Sequence, residues 1–143
     1  NMELDEKNRS EISSPDSPAL KELCASLHQL AIDLEIPEEN GLCKWPKIQL
    51  DLCAKYGVFK WFLEEKDDGF GWSDQNLTLG YLALGSACQT TTFVITQPTG
   101  ACQKIAQSLN DYARSQLIPN LLRGTHFSTV GISHLTTSKQ HLG

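Results

Sequence analysis

QNLTLGYLALGSACQTTTFVITQPTGACQ, residues 75–103, contains no Asp, Glu, Lys or Arg, and its reading decides the fold. A membrane-spanning helix needs about 20 mostly apolar residues. Asn76, Gln89, Thr90, Thr91, Thr92 and Gln97 make this run too polar to span. The alternative is a helix buried in protein. Ser73 reads as its N-cap, with Asp74 favourably placed in the first turn. Leu77, Tyr81, Leu84, Cys88 and Ile95 fall on one face, and Leu79, Leu82, Ala83 and Ala87 cover much of the rest. A helix apolar nearly all round is expected to be buried on several sides. Gly80 and Gly85 would let a neighbouring helix or ligand approach closely. Gln89-Thr90-Thr91-Thr92 places four polar side chains in mid-helix, where they either face a pocket or bond back to helix carbonyls. Pro98-Thr99-Gly100 predicts a break, followed by a short helix from Ala101 to Ser108 with Ile105 and Leu109 inward.

On the N-terminal side, residues 1–17 are polar and read as a flexible tail, ordered at most at its end. Ser17-Pro18 has the form of an N-cap followed by proline at the first helical position. Leu20, Leu23, Leu27, Leu30 and Leu34 follow as one helical stripe, and Ile36-Pro37 ends it. A second helix is predicted from Trp45-Pro46 to Tyr56, with Ile48, Leu52 and Tyr56 on its apolar face and Gly57 as C-cap. Val58 to Phe62 reads as a brief strand or extended segment, and Glu64 to Gly71 as an acidic loop.

On the C-terminal side, Asn110 or Asp111 starts a helix carrying Tyr112, Leu117, Ile118, Leu121 and Leu122. Pro119 kinks or ends that helix, and Arg123-Gly124 closes it. From His126 to Gly143, Thr, Ser, Val, Ile and Gly predominate, as in a strand followed by a hydroxyl-rich turn. The pattern therefore predicts an all-α helical bundle over 18–125. Residues 126–143 would begin a β domain that is mostly absent from this chain, since a lone strand leaves its backbone groups unpaired.

The chain has 143 residues, with 12 Lys+Arg against 17 Asp+Glu, a net charge of −5. Residues 1–71 hold 8 basic and 15 acidic side chains, and residues 72–143 hold 4 and 2. This acidic balance argues against a nucleic-acid binder, which needs clustered Lys and Arg. The opening Asn1-Met2-Glu3-Leu4-Asp5 lacks the basic start and apolar run of a signal peptide. Cys24, Cys43, Cys53, Cys88 and Cys102 are odd in number and contain no C-x-x-C pair, the pattern of a reducing, cytoplasmic setting. The sequon at Asn76-Leu77-Thr78 is then read as accidental.

No arrangement of catalytic groups stands out. His28, His126, His134 and His141 form no metal-binding pair, Gly69-Phe70-Gly71 lacks the rest of a phosphate fingerprint, and no G-x-S-x-G is present. After Asp74 the only carboxylate is Asp111, so a general base is not expected within the chain. Two polar groups stand as ligand candidates. One is the quartet at Gln89 to Thr92. The other is Ser133, Thr136, Thr137 and Ser138, which suits the edge of a flat heteroaromatic cofactor, although on spacing alone an ordinary polar turn is the better reading.

Several strings resemble the amino-terminal part of the acyl-CoA dehydrogenase family over residues 19–138. They are Tyr56-Gly57-Val58-Phe59 with Gly69-Phe70-Gly71, then Leu82-Ala83-Leu84-Gly85, and above all Leu117-Ile118-Pro119-Asn120-Leu121-Leu122-Arg123-Gly124. The last is similar to the family's "LP-x-L-x-x-G" before its middle β domain. Phe127 to Ser138 stands where the family writes a strand ending in "TEP" and then "GS". The resemblance implies an FAD-dependent oxidoreductase of fatty acid metabolism, a flavoprotein that oxidises an acyl-CoA thioester at its α and β carbons. It implies a protein more than twice this length, homo-oligomeric, whose catalytic Glu lies in a later region. It implies cofactor-binding roles for Ser133 beside Val130 and Ile132, and substrate-binding roles for Thr90, Thr91, Val94 and Ser138. His134 and Leu135 replace the Glu and Pro of "TEP", and the turn before Ser138 is one residue shorter. The competing expectations are a non-enzymatic helical interaction module, with a groove near Trp61, Phe62 and Trp72, and a flavoprotein-like chain that has lost catalysis.

Overall fold

The computed structural model describes residues 11–36, 38, 41, 42 and 44–128. Among these the chain forms α1 (Pro18–Glu35), α2 (Lys47–Lys55), α3 (Asp74–Ala87), α4 (Gln89–Ala106) and α5 (Asp111–Leu122). Two 3₁₀ turns, Val58–Lys60 and Glu65–Asp67, link α2 to α3. The described residues are therefore an all-α bundle. The strand expected from His126 onward lies outside them except for its first residues, as do Val130, Ile132, Ser133 and Ser138.

The helix starts follow local chemistry. The Ser17 hydroxyl accepts from the Ala19 amide, the Ser73 hydroxyl from Asn76 and the Asn110 carbonyl oxygen from Ala113. Each satisfies an amide that the first helical turn leaves without a partner. Ile36 is extended and ends α1. Gly57 stops α2 with φ +74°, a left-handed value that suits glycine.

The central run departs from its expected form in two ways. It is two helices rather than one, and the second continues through Pro98 to Ala106. Cys88, at φ −155° and ψ 98°, separates them. Its amide donates to Leu84 O, closing α3, and its carbonyl accepts from both the amide and the hydroxyl of Thr92, opening α4. Pro98 forfeits one helical hydrogen bond, but its own ring is buried, and that packing offsets the loss. The all-round burial also fails: Gly80 and Leu84 are buried in α3, whereas Leu82 and Phe93 are each about two-thirds exposed. Leu109, expected inward, is fully open to solvent.

The larger core gathers α1, α2, α3 and the start of α4 around Leu23, Leu27, Leu50, Cys53, Trp61, Leu84 and Ile95. A smaller one joins Phe62 and Leu63 to Cys102 of α4 and Ile118, Leu121 and Leu122 of α5. Pro119 sits within α5 without ending it. In α2 the buried face is Gln49, Leu50 and Cys53, and Ile48 points outward. The polar Gln49 is tolerated inside because its amide donates to Leu30 O near the end of α1.

The end of the expected tail is built into this core. Ile12 is fully buried, and its amide donates to Tyr56 O. Trp61 and Trp72 stack with ring centroids 4.3 Å apart, and their indole N–H groups donate to Ile12 O and Ser13 O. Lys60 completes the strap with an ion pair to Glu11 at 2.7 Å. Gly80 of α3 faces the tryptophans; a Cβ there would lie 2.7 Å from Trp61 and 2.9 Å from Trp72.

Candidate functional site

An apolar cleft opens between the start of α2, α4 and the segment that follows α5. Its walls are Trp45, Phe93, Val94, Pro98 and Phe127, with Gln97 and Ser128 as the polar members, and it encloses about 270 Å³. Three elements place these groups. Trp45 precedes α2, Val94 and Pro98 come from one side of α4, and Phe127 arrives just after α5. Gly124, at φ +66°, turns the chain there, and a side chain in its place would strike Phe59 at 2.8 Å. The amides of Thr125 and His126 and the Thr125 hydroxyl all bond Asn120 O, closing α5. Phe127 then rests edge-on against both Phe59 and Trp45, at 5.8 and 5.6 Å. Such T-shaped contacts are favoured by the ring quadrupoles.

Among the described residues, no ionised side chain lines this cleft. The Gln97 amide leans on Phe93 O at 3.4 Å, and the Ser128 hydroxyl lies 3.9 Å from the Cys102 thiol. Burial raises the pKa of that thiol, so it is held protonated. A second opening of about 430 Å³ shares Trp45 and Phe127 and adds Lys47, Asp51 and Arg123. Lys47 is committed to Asp51 at 2.6 Å, and Arg123 to Asn120 at 2.7 Å.

Of the described residues expected to touch an acyl group, Val94 reaches the cleft. Thr90 is exposed at the first turn of α4. Thr91 is fully buried, with its hydroxyl 3.0 Å from the Cys88 thiol. Thr92 uses its hydroxyl to bond back to Cys88 O. Two members of the quartet thus spend their polarity on the helix junction rather than on an open pocket. The groove expected beside Trp61, Phe62 and Trp72 is filled: all three are buried, and Ile12 and Ser13 lie against the tryptophans.

The remaining polar cluster lies between the acidic loop and α5, where Arg114 pairs with Asp111 at 3.3 Å and approaches Asp67 at 3.9 Å. Among the described residues no group of three or more His, Cys, Asp or Glu could hold a metal ion. Nor is any described helix long and apolar enough to cross a membrane.

The site missed in the sequence is the aromatic one. Trp45 and Phe127 are 82 residues apart, and only the turn at Gly124 brings them together. A glycine between an apolar helix end and a phenylalanine was the available signal. The described residues form a helical bundle that carries an apolar, uncharged concavity. The chain matches no protein-family model, and comparison with curated proteins and with solved structures gives no match.

Proposed function

We propose that the chain is the N-terminal helical domain of an acyl-CoA dehydrogenase-like flavoenzyme, which oxidises an acyl-CoA thioester with FAD. The observation that carries the reading is the Val94 cleft. It is apolar, uncharged and concave, and it lies where the chain leaves α5 toward the hydroxyl-rich residues that resemble the family's flavin contacts. An apolar pocket with a few converging polar groups is the usual form of a small-molecule site. In this reading Val94 lies against the acyl group, with Thr90 and Thr91 at the head of the same helix.

FAD would supply the hydride acceptor. Its expected contacts, Val130, Ile132 and Ser133, and the expected thioester contact Ser138 lie outside the described residues. The described part contributes the uncharged wall that excludes water from an acyl tail. The reading also implies a homo-oligomer and a cytoplasmic setting.

The test is spectroscopic. The open reading frame containing this chain, expressed whole and reconstituted with FAD, should show visible flavin bands that bleach when an acyl-CoA is added. A protein that never takes up flavin would overturn the reading. Flavin uptake without bleaching by any saturated acyl-CoA would point instead to a relative that has lost catalysis.

A further inference from the structure

We propose that the acyl tail received by the Val94 cleft is uncharged and aromatic or of medium length, reaching no more than about ten carbons. This rests on the thioester reading above and names its substrate class. Three features of the cleft lead there.

The first is size. A cavity of about 150 Å³ with apolar walls holds benzene. The cleft offers about 270 Å³, so the same packing accommodates about ten carbons. A sixteen-carbon tail would leave its far end in water. The second is charge. Lys47 and Arg123 stand in the neighbouring opening, where Lys47 is ion-paired to Asp51 and Arg123 is hydrogen-bonded to Asn120, and among the described residues no cation lines the Val94 cleft. A tail ending in a carboxylate would be stripped of water there with nothing to replace it. The third is shape. Trp45 and Phe127 meet edge-on, Phe93 stands nearby with two-thirds of its surface exposed, and Pro98 forms a flat side. Walls of this kind favour a planar ring, which can meet them in stacked or edge-to-face contact.

Trp45 provides the readout. Trp61 and Trp72 are buried, whereas Trp45 is 56% exposed, so a tail in the cleft shifts chiefly the Trp45 emission. The N-acetylcysteamine thioesters of 3-phenylpropanoic, octanoic and hexadecanoic acid would be titrated into the full chain, with octanedioic acid mono-thioester as the charged control. The first two should give a saturable blue shift, with affinities at least tenfold tighter than the last two. Phe93→Ala, an exposed position, should weaken the aryl thioester several-fold and leave circular dichroism unchanged. Val94→Trp should abolish both.

Equal or tighter binding of the hexadecanoyl or charged thioester would overturn the proposal while leaving flavin binding untouched. So would binding by a chain ending at Ser128 but not by the full chain, because residues 129–143 would then be the cleft's occupant. Failure of flavin uptake in the whole protein would instead remove the thioester reading.

Discussion

Tryptophans mark two regions of this bundle, and their treatment differs. Trp61 and Trp72 are stacked, buried and have their N–H groups bonded to Ile12 O and Ser13 O. Trp45 is more than half exposed and touches Phe127 edge-on beside an open cleft. In the first region every surface that the aromatics offer is met by the chain itself. In the second the aromatics meet each other and leave a concavity. Complete satisfaction marks structure, and an apolar surface left open marks a candidate for binding.

Breaking the strapped region should cost most. Ile12→Ala truncates a fully buried side chain of the larger core. Large-to-small changes of this kind cost about 2–5 kcal/mol, so the urea midpoint should fall sharply. If Ile12→Ala unfolds at the wild-type midpoint, the strap carries no stability and the contrast between the two regions collapses. Gly80→Ala comes next. Alanine is favoured over glycine in a helix by about 1 kcal/mol. The added Cβ, however, would press on both stacked rings at under 3 Å. Overpacking costs about 1–3 kcal/mol, so the net effect should be destabilising, with a weakened tryptophan signal in near-ultraviolet circular dichroism. A stabilised Gly80→Ala protein would show that the stack is free to move.

The two cores also hold protonated thiols. Burial raises the pKa of Cys53 well above its ordinary value, and raises those of Cys24 and Cys102 as well. For an acid with a raised pKa, the unfolded state loses its proton first. Stability is therefore fully present below the ordinary thiol value and falls as pH rises above about 9, by about 1.4 kcal/mol per pH unit for Cys53, which stays protonated in the fold, and by less for the less deeply buried Cys24 and Cys102. Urea unfolding between pH 8 and 10.5 should show this decline, and Cys53→Ala should flatten it. A flat profile in the unaltered protein would mean the interior admits water.

Local signals in the sequence carried the helix starts, because a cap is a bond within three residues. Ser17, Ser73 and Asn110 could be read for that reason. The Leu20-to-Leu34 stripe was legible for a related reason: α1 is long enough for its spacing to speak. Longer-range choices were not legible. Cys88 looks like any apolar helical residue, and it breaks the run because two helices close on its backbone. Pro98 looks like a stop, yet packing carries α4 through it. Ile48, expected inward, points outward, and its neighbour Gln49 is buried because it finds the Leu30 carbonyl. The cleft shows the same limit: Val94 was singled out only through the family resemblance, and Trp45 and Phe127 were not singled out as a pair at all.

The smallest effect on stability is expected at the open cleft, and its smallness is what makes it informative. Phe93 is 66% exposed. A surface change away from caps and cores usually stays within about 0.5 kcal/mol, so Phe93→Ser should leave the urea midpoint almost unmoved. If Phe93 were instead a structural residue like Trp72, the same change would cost several times more. The substitution should nonetheless remove part of the apolar wall that binds a tail, weakening the thioester-induced shift in Trp45 emission. A residue that the fold does not need and the ligand does is what separates the cleft from the strapped core. Loss of stability without loss of binding would reverse that assignment.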